Sequence, residues 1–253
     1  MNNDGIKNEM EIIDTINHKQ FCDLPVFWKN LLSKVFGKFP DHYYISAFKP
    51  KKDDKVDMYV IVNHKQRSFS IKSGDRISVH RESVSRFCGF LEWLGIEKEY
   101  TDFLKLYHYG DGTTDGTGEY HLSYKEIIVK YKNEINWFNE RVNDPKVVKR
   151  IIMRFLSMGT PRQNSFVYYI YYGNKDEGIC TRVQYILEYI EKNIVEYNHL
   201  PAIHFGPFIY EPAYRGLEDF DPNDKRRYYI VIKWPYAYDY IKRVIKVYQS
   251  YPF

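Results

Sequence analysis

An aspartate and a later Ser-Ile-Lys segment are the residues of this chain best suited to chemistry. Asp57 stands near the start of one apolar stretch, and Ser70 and Lys72 stand in the next. A carboxylate can hold a divalent cation such as Mg²⁺, which prefers oxygen ligands, and a nearby ammonium can orient water or stabilise developing negative charge. These groups suit metal-assisted hydrolysis of a phosphodiester, in which the cation neutralises the phosphate and lowers the pKa of an attacking water.

Two neighbouring strands would position these groups. The β-branched, apolar stretch 56–62 predicts a buried strand, residues 63–66 predict a hairpin turn, and 67–74 predict the returning strand. Because side chains alternate along a strand, Ser70 and Lys72 share one face while Ile71 points into the core. The three polar side chains can therefore converge, and the Ile71 carbonyl could serve as a further oxygen ligand.

The elements around this hairpin follow a simple order. Residues 25–37 have apolar side chains at helical spacing between Pro25 and Gly37, and 43–48 predict a strand. From Ser78 onwards the apolar residues return to helical spacing as far as Leu94. The predicted order over residues 25–95 is helix, strand, strand, strand, helix.

This combination resembles the PD-(D/E)XK nuclease superfamily, in which an Asp precedes a spaced (D/E)xK. Here Val56 replaces the usual Pro, and Ser70 stands where the second acid belongs. A subset of restriction endonucleases has the same departure, with a Glu from the following helix acting instead. The SIKSG segment together with SVHRE at 78–82 is also similar to a group of bacterial restriction-endonuclease-like proteins. The resemblance covers residues 25–95.

The resemblance implies an α/β (α+β) fold with a restriction-endonuclease-like core. In such a core a mixed central sheet is flanked by helices, here with a helical elaboration and C-terminal strands. We expect an N-terminal arm over 1–22 that is loose or a short helix, and a nuclease core over 23–108. The elaboration would occupy 109–253, in the same compact unit, with its last strands completing the sheet.

The resemblance also assigns roles within the site. Asp57 and Glu82 would hold the metal together with the Ile71 carbonyl, Lys72 would position the water, and Ser70 would support the metal shell. His80 is a further site candidate.

The weak point is Glu82. If one regular helix begins at Ser78, Glu82 points about 160° away from the stripe centred on Val84, and His80 points closer to that stripe. The conflict disappears if 78–82 is a loop or a loose first turn. Both possibilities stay open from the sequence.

The second half of the chain alternates helices and strands. YGDGTTDGTG, at 109–118, lacks the GK[ST] ending of a phosphate-binding loop and the ligand spacing of an EF-hand, so we expect a plain connection. Ser123 and Glu126 predict a capping box before a helix that reaches about Val142. The further predictions are a helix from Pro145 to Gly159, a strand at 165–173, a helix at 181–193, two strands around 203–212 and 226–234, and a helix at 236–249.

Several polar residues could contact DNA. Arg can grip guanine and Gln or Asn can grip adenine, so the GTPRQNS segment is a candidate for base contacts, and arginines before the last strand could meet phosphate. The helix from Pro145 presents a basic face, which a solvated surface would explain equally well. The candidate DNA-contact residues are Arg76, Arg81, Arg162, Gln163, Asn164, Arg226 and Arg227, and the basic face contains Lys146, Lys149, Arg150 and Arg154.

Composition narrows the classes of protein. None of the apolar runs reaches eighteen residues, and the N-terminus lacks a signal-peptide pattern, so we expect no membrane association and a cytoplasmic location. The three cysteines are scattered without CxxC spacing, which argues against a zinc site or a disulfide framework. The net charge of +4 permits a polyanionic partner without requiring one.

The sequence therefore predicts a type II restriction-like endonuclease that hydrolyses double-stranded DNA with Mg²⁺, or Mn²⁺ as a substitute. A homodimer would suit cutting of two strands, and a cognate DNA methyltransferase is a possible partner. One alternative is a DNA-binding or defence protein that uses this fold without cutting, because the second acid is missing. Another is a protein-interaction module whose many tyrosines form its interface.

Overall fold

The computed structural model describes residues 4–50, 54–160, 165–197, 200–214, 221 and 223–248. The chain divides into two compact units that are interleaved in sequence. Unit 1 comprises 1–77, 156–188 and 236–253, and unit 2 comprises 78–155 and 189–235. This division differs from the sequential boundaries at 22 and 108 that the sequence suggested.

The described residues contain both helices and strands throughout their length. The α-helices are α1 Asp4–Ile16, α2 Val26–Phe36, α3 Val84–Trp93, α4 Lys98–Tyr109, α5 Tyr124–Lys130, α6 Lys132–Val142, α7 Pro145–Met153, α8 Val183–Asn193 and α9 Ala237–Tyr248. The strands are β1 Lys19–Gln20, β2 Tyr44–Phe48, β3 Met58–Val62, β4 Lys65–Lys72, β5 Arg76–Ser83, β6 Tyr169–Gly173, β7 Gly178–Arg182, β8 His204–Phe205, β9 Phe208–Pro212 and β10 Tyr229–Pro235. None of the described helices is long and apolar enough to cross a membrane.

Unit 1 is built on a six-stranded mixed sheet with the strand order β1-β2-β3-β4-β6-β7. Neighbouring strands are antiparallel except for β4 and β6, which run parallel with Lys72 paired to Tyr172. A parallel pair requires a crossover connection, and here the chain between β4 and β6 contains most of unit 2. The mixed central sheet and flanking helices confirm the predicted fold class.

The hairpin β3–β4 is tighter than the sequence suggested. Its turn consists of two residues, Asn63 and His64, and both have positive φ angles, of 46° and 61°. A two-residue turn with positive φ angles has a backbone twist that matches the right-handed twist of the flanking strands. Consequently Lys65 pairs with Val62, and β4 begins at Lys65 instead of residue 67.

The core of unit 1 lies between this sheet and the first two helices. Met58, Val60 and Val62 of β3 point to one face and pack with buried residues of α1 and α2. In α1 these are Ile12, Ile13 and Ile16, at helical spacing. The N-terminal segment is therefore a helix within unit 1 and not a loose arm, because its apolar stripe is buried.

The segment expected to open a helix at Ser78 is instead a strand. β5 covers residues 76–83 with Ile77 and Val79 buried and their neighbours Arg76 and Ser78 exposed. The helix begins only at Val84, where the Ser83 side chain accepts a hydrogen bond from the Arg86 N–H. Period-two burial and β-branched residues favour a strand over this stretch, so both the helical and the loop interpretations of 78–82 are wrong.

The C-terminal strands do not complete the six-stranded sheet. They form a second, four-stranded sheet with the order β5-β10-β9-β8, in which β10–β9 and β9–β8 are antiparallel. The six-stranded sheet is completed by β6 and by β7, a strand that the sequence pattern did not reveal. Helix α4 was not predicted either, although its face with Phe103, Leu104 and Tyr107 is buried.

The helices after the glycine-rich loop begin as predicted but end differently. Ser123 and Glu126 form the predicted capping box, but the helix breaks at Tyr131, with φ −110° and ψ 28°. Asp144 caps α7 by accepting from the N–H groups of Lys146 and Val147. Beyond α7 the backbone continues as a π-helical turn to Met158.

The glycine-rich loop at 109–118 is held together by one buried carboxylate. Asp111 accepts hydrogen bonds from the N–H groups of Thr113 and Gly118, at 2.9 and 3.1 Å, and from the Thr113 hydroxyl. Its side chain has no exposed surface, and it pairs with Arg227 at 3.3 Å. Asp111 therefore serves the fold of the loop, in agreement with a structural connection.

Candidate active site

The Asp57 carboxylate is the centre of a small cluster at the end of the β3–β4 hairpin. One oxygen, Oδ2, accepts a hydrogen bond from the Ser70 hydroxyl at 2.8 Å and from the Ile71 N–H at 2.8 Å. The same oxygen lies 3.1 Å from Lys72 Nζ. The strand register explains why these groups are close together. Met58 pairs with Phe69 in the antiparallel ladder, so the next position along the ladder puts Asp57 opposite Ser70.

The electrostatics of the cluster favour the ionised carboxylate. Burial alone would raise the pKa of Asp57, but the Lys72 charge and the hydrogen bonds from Ser70, Ile71 and Lys72 outweigh it, so this pKa lies below its usual value. The Asp57 side chain is still 22% exposed. An anionic oxygen centre that solvent can reach is thus present at neutral pH.

Lys72 bridges two oxygens that were both predicted as metal ligands. Its Nζ donates to Asp57 Oδ2 and also to the Ile71 carbonyl oxygen, at 3.0 Å. The three donors found for Asp57 all converge on Oδ2, and Oδ1 accepts no hydrogen bond from the described residues. One carboxylate oxygen therefore remains for another partner, while the ammonium neutralises the other.

Glu9 of α1 is a second acid, and it interacts electrostatically with Asp57. Its pKa is raised, first by burial and then by the negative charge of Asp57, while Lys49 and Lys72 partly offset both effects. Its carboxylate forms an ion pair with Lys49, the residue that follows β2. The Glu9 side chain is 14% exposed. The acid whose pKa responds to the Asp57 charge thus comes from the first helix.

The structure places Glu82 in a different environment. Both oxygens of the Glu82 carboxylate bind the Arg154 guanidinium, at 2.8 and 2.7 Å, and Oε1 also lies 2.7 Å from His80 Nε2. Arg154 further packs on the Phe90 ring at 4.3 Å. The Glu82 side chain is fully buried within unit 2. The Glu82 carboxylate already has hydrogen-bond partners within the fold, which argues against Glu82 as a metal ligand and against His80 as a residue of the active site.

Arg154 was expected on a basic helix face and is buried instead. It lies about 110° from the centre of the apolar stripe of α7, at the flank and not on the opposite side. The pairing with Glu82 provides the partner that a buried guanidinium requires. The exposed part of the basic face includes Lys146 and Arg150.

The predicted DNA-contact residues fall into three groups. Arg76 and Arg81 are exposed on β5, and the Arg81 guanidinium lies 5.1 Å from the centre of the Tyr229 ring. Arg226 is exposed and paired with Asp224, whereas Arg227 is buried and paired with Asp111, which argues against a phosphate contact by Arg227. The residues outside the described part of the chain are Arg162, Gln163 and Asn164.

Sequence reasoning missed Glu9 and Lys49. Neither has a spacing rule that connects it to Asp57, since their contact depends on how α1 packs against the sheet. The available signal was the helical spacing of Ile12, Ile13 and Ile16, which identifies the buried face of α1 but not the partner of Glu9.

Within the described residues, no group of three or more His, Cys, Asp or Glu side chains is arranged to hold a metal ion.

The fold has a counterpart among solved structures. No family model matches the chain, and no curated protein matches it in sequence. Among solved structures, the chain is similar to the restriction endonuclease MspI in complex with its cognate DNA, with a TM-score of 0.55 and 13% sequence identity. The match covers 91% of this chain and 92% of the MspI chain. The chain therefore has a restriction-endonuclease-like fold.

Proposed function

We propose that this protein is a metal-dependent endonuclease that hydrolyses phosphodiester bonds of double-stranded DNA. The observation that carries the proposal is the 3.1 Å approach of Lys72 Nζ to Asp57 Oδ2 on adjacent strands. A carboxylate and an ammonium at a partly open sheet end combine a cation ligand with a donor for developing negative charge. The likeness in fold to MspI supports the same reaction class.

The donor set at the site fits Mg²⁺. Asp57 would supply a carboxylate oxygen and Ile71 a carbonyl oxygen, and Glu9, whose pKa responds to Asp57, would supply the second carboxylate. These are the ligand types that this hard cation prefers. Mn²⁺ accepts the same oxygens and would serve as a substitute. A bound cation of this kind would neutralise the scissile phosphate and lower the pKa of a water. Two acids with water and phosphate suffice for Mg²⁺, so Ser70 need not be an acid.

The residues of the chain then have separate tasks. Lys72 holds its ammonium beside the Asp57 carboxylate, where it can orient a water through a hydrogen bond and stabilise negative charge on the phosphate. Ser70 donates its hydroxyl proton to Asp57 Oδ2 and so keeps the carboxylate in one orientation. Glu9 replaces Glu82 as the second acid in this proposal. Glu82 stays with Arg154 as a structural pair.

Sequence-specific cutting of both strands is a finer part of the proposal. Two cuts need two active sites or two binding events, which a homodimer would provide. A protein that cleaves specific sequences also requires protection of the DNA of its own cell, for example by a methyltransferase that modifies the same site. Discrete fragments from genomic DNA and a dimer in sedimentation analysis would support these points, whereas random degradation by a monomer would contradict them.

Cleavage of plasmid and genomic DNA tests the main proposal. We expect cleavage with Mg²⁺, none after chelation with EDTA, and recovery with Mn²⁺. Asp57→Asn and Lys72→Ala should each abolish cleavage, while Lys65→Ala should cleave like the wild-type chain. Lys65 is a matched control because it is an exposed lysine on the same strand β4, next to the hairpin turn.

The alternative is a protein that binds DNA without cleaving it, which the Ser at position 70 favours. Binding of duplex DNA by the wild-type chain without cleavage under any divalent cation would support this alternative. Failure to bind DNA even at low salt, where phosphate contacts are strongest, would point to a protein-interaction module and would contradict both DNA-related functions.

A further inference from the structure

Tyr172, Tyr238 and Lys242 form a connected group beside Lys72 that the proposed hydrolysis does not use. Tyr172 belongs to β6, and the other two residues belong to α9, all within unit 1. We refer to these three residues as the tyrosine–lysine cluster. Its position next to the lysine of the candidate site raises the question of what it binds.

Tyr172 connects the cluster to the strand that carries Lys72. In the parallel pairing of β4 and β6, Lys72 is the register partner of Tyr172, so the two side chains emerge on the same face of the sheet. The Tyr172 hydroxyl donates to the Gly74 carbonyl at 2.5 Å. This bond holds the ring beside the turn that follows Lys72.

Tyr238 and Lys242 extend the cluster along the surface of α9. The Tyr238 ring centre lies 5.5 Å from that of Tyr172, and Lys242 Nζ lies 5.1 Å from the centre of the Tyr238 ring. Tyr238 is 41% exposed. The two residues are one helical turn apart, so they present an aromatic surface and a positive charge side by side.

The charge of this helix surface suits a polyanion. Exposed positions on α9 include three basic residues, Lys242, Arg243 and Lys246, against one acid, Asp239, which leaves an excess of two positive charges. Lys242 contacts an aromatic ring, and none of the carboxylates in the described part of the chain forms an ion pair with it, so a phosphate would not have to displace one of these acids. Burial and the charges of Asp75 and Asp239 raise the pKa of the Tyr172 hydroxyl. These negative charges disfavour an anion at Tyr172, so Lys242 is the position for a phosphate.

We propose that Tyr238 and Lys242 bind the DNA backbone to one side of the scissile phosphate. Lys242 contacts a phosphate, and the Tyr238 ring packs against a deoxyribose. Tyr172 acts as a positioning residue that ties this surface to β4. The inference rests on the proposed function, since Lys72 marks the position of the scissile phosphate. The tyrosine–lysine cluster extends on the order of 15 Å from Lys72.

Equilibrium binding of a fluorescein-labelled DNA duplex tests the proposal. Ca²⁺ replaces Mg²⁺ so that binding is measured without cleavage, over about 50–200 mM salt. For Lys242→Ala we expect about 5- to 10-fold weaker binding and a salt slope smaller by about 1, as for the loss of one phosphate contact. Lys34→Ala is the control, because Lys34 is an exposed lysine on α2, which packs on the opposite face of the same sheet.

Tyr238 variants give a second signature. Tyr238→Ala should weaken binding several-fold without a change in the salt slope, because an uncharged ring is lost, and Tyr238→Phe should restore binding. Wild-type binding and slope in Lys242→Ala, or equal losses in Lys34→Ala, would overturn the proposal. So would a Tyr238→Ala variant that binds normally.

The outcomes for this surface and for the proposed function can be separated. If the wild-type chain cleaves DNA and Lys242→Ala binds DNA normally, the proposed binding surface is wrong and the proposed nuclease function stands. If binding depends on Lys242 but no cleavage occurs, the nuclease function is wrong and the binding surface is supported. If the wild-type chain does not bind DNA, both proposals are wrong.

Discussion

The environment of Glu82 yields a prediction that separates a structural role from a metal-binding role. In the Glu82→Gln variant the shape of the side chain is retained while its negative charge is lost. The Arg154 guanidinium, whose side chain is only 7% exposed, then lacks its charged partner. We expect a clear loss of stability, because the removal of one member of a buried ion pair leaves an uncompensated charge.

The size of the effect follows from the burial of the pair. Breaking a buried pair by removal of one partner typically costs about 3–5 kcal/mol, a large part of a total stability of about 5–15 kcal/mol. Two short guanidinium contacts to Glu82, together with the His80 contact, place this pair in that class. For a chain of this length, about 3 kcal/mol corresponds to a decrease in Tm of about 6–12 °C.

The pH dependence of the effect has a definite sign. Burial by itself would raise the pKa of Glu82, but Arg154 and His80 outweigh it, so the pKa in the folded protein lies below 4.5. The ionised form therefore stabilises the fold above about pH 4.5, and this contribution is lost as the pH falls through the lowered pKa. The difference in stability between wild type and Glu82→Gln should be full at neutral pH and shrink in acid.

Thermal unfolding followed by circular dichroism measures the stability, and calorimetric titration with Mn²⁺ measures metal binding below the unfolding temperature. We expect Glu82→Gln to lose stability and to retain its metal affinity. Unchanged Tm together with lost Mn²⁺ binding would show that Glu82 is a metal ligand, and the structural role argued for it would be wrong. A double substitution of Glu82 and Arg154 by apolar residues should recover much of the stability.

Three further predictions concern other residues. Glu9→Gln should weaken Mn²⁺ binding about tenfold, as measured by calorimetry. It should not lower Tm, because burial and the Asp57 charge disfavour the charged form of Glu9. Unchanged Mn²⁺ affinity would show that Glu9 is not a metal ligand. Asp111→Ala should accelerate hydrogen exchange at the amides of Thr113 and Gly118, which donate to Asp111, and protection equal to wild type would contradict this assignment. Gly118→Ala should lower Tm, because a Cβ there would lie 2.7 Å from the Asp111 carbonyl oxygen, and an unchanged Tm would mean that the backbone shifts easily.

Much of the candidate site follows from local sequence. Alternation along β3 and β4 puts Asp57, Ser70 and Lys72 on one face of the hairpin, because side chains repeat with a period of two. The exact register was not predicted, because the turn has two residues, Asn63 and His64, where four were expected, and only this shorter turn places Asp57 opposite Ser70. The capping box at Ser123 and the Asp144 cap were predictable, since each involves groups within three residues of one another.

The second acid could not be predicted in this way. Glu82 is close to Lys72 in sequence and Glu9 is far from it, yet the Asp57 charge raises the pKa of Glu9, whereas Glu82 binds Arg154. The strand β5 was mistaken for the start of a helix because Val84 and the residues after it are helical, while Ile77 and Val79 alternate over too short a stretch to stand out. Pairing with β10 decides between the two structures.

By itself, then, the sequence determined the hairpin with Asp57, Ser70 and Lys72 and the type of chemistry that these groups permit, because both depend on neighbours along the chain. Only the tertiary structure decided which acid interacts with Asp57, that Arg154 is buried, and that Tyr172 lies beside Lys72. These contacts connect elements separated by tens of residues, and their geometry depends on how helices and strands pack. No spacing rule along a single chain contains that information.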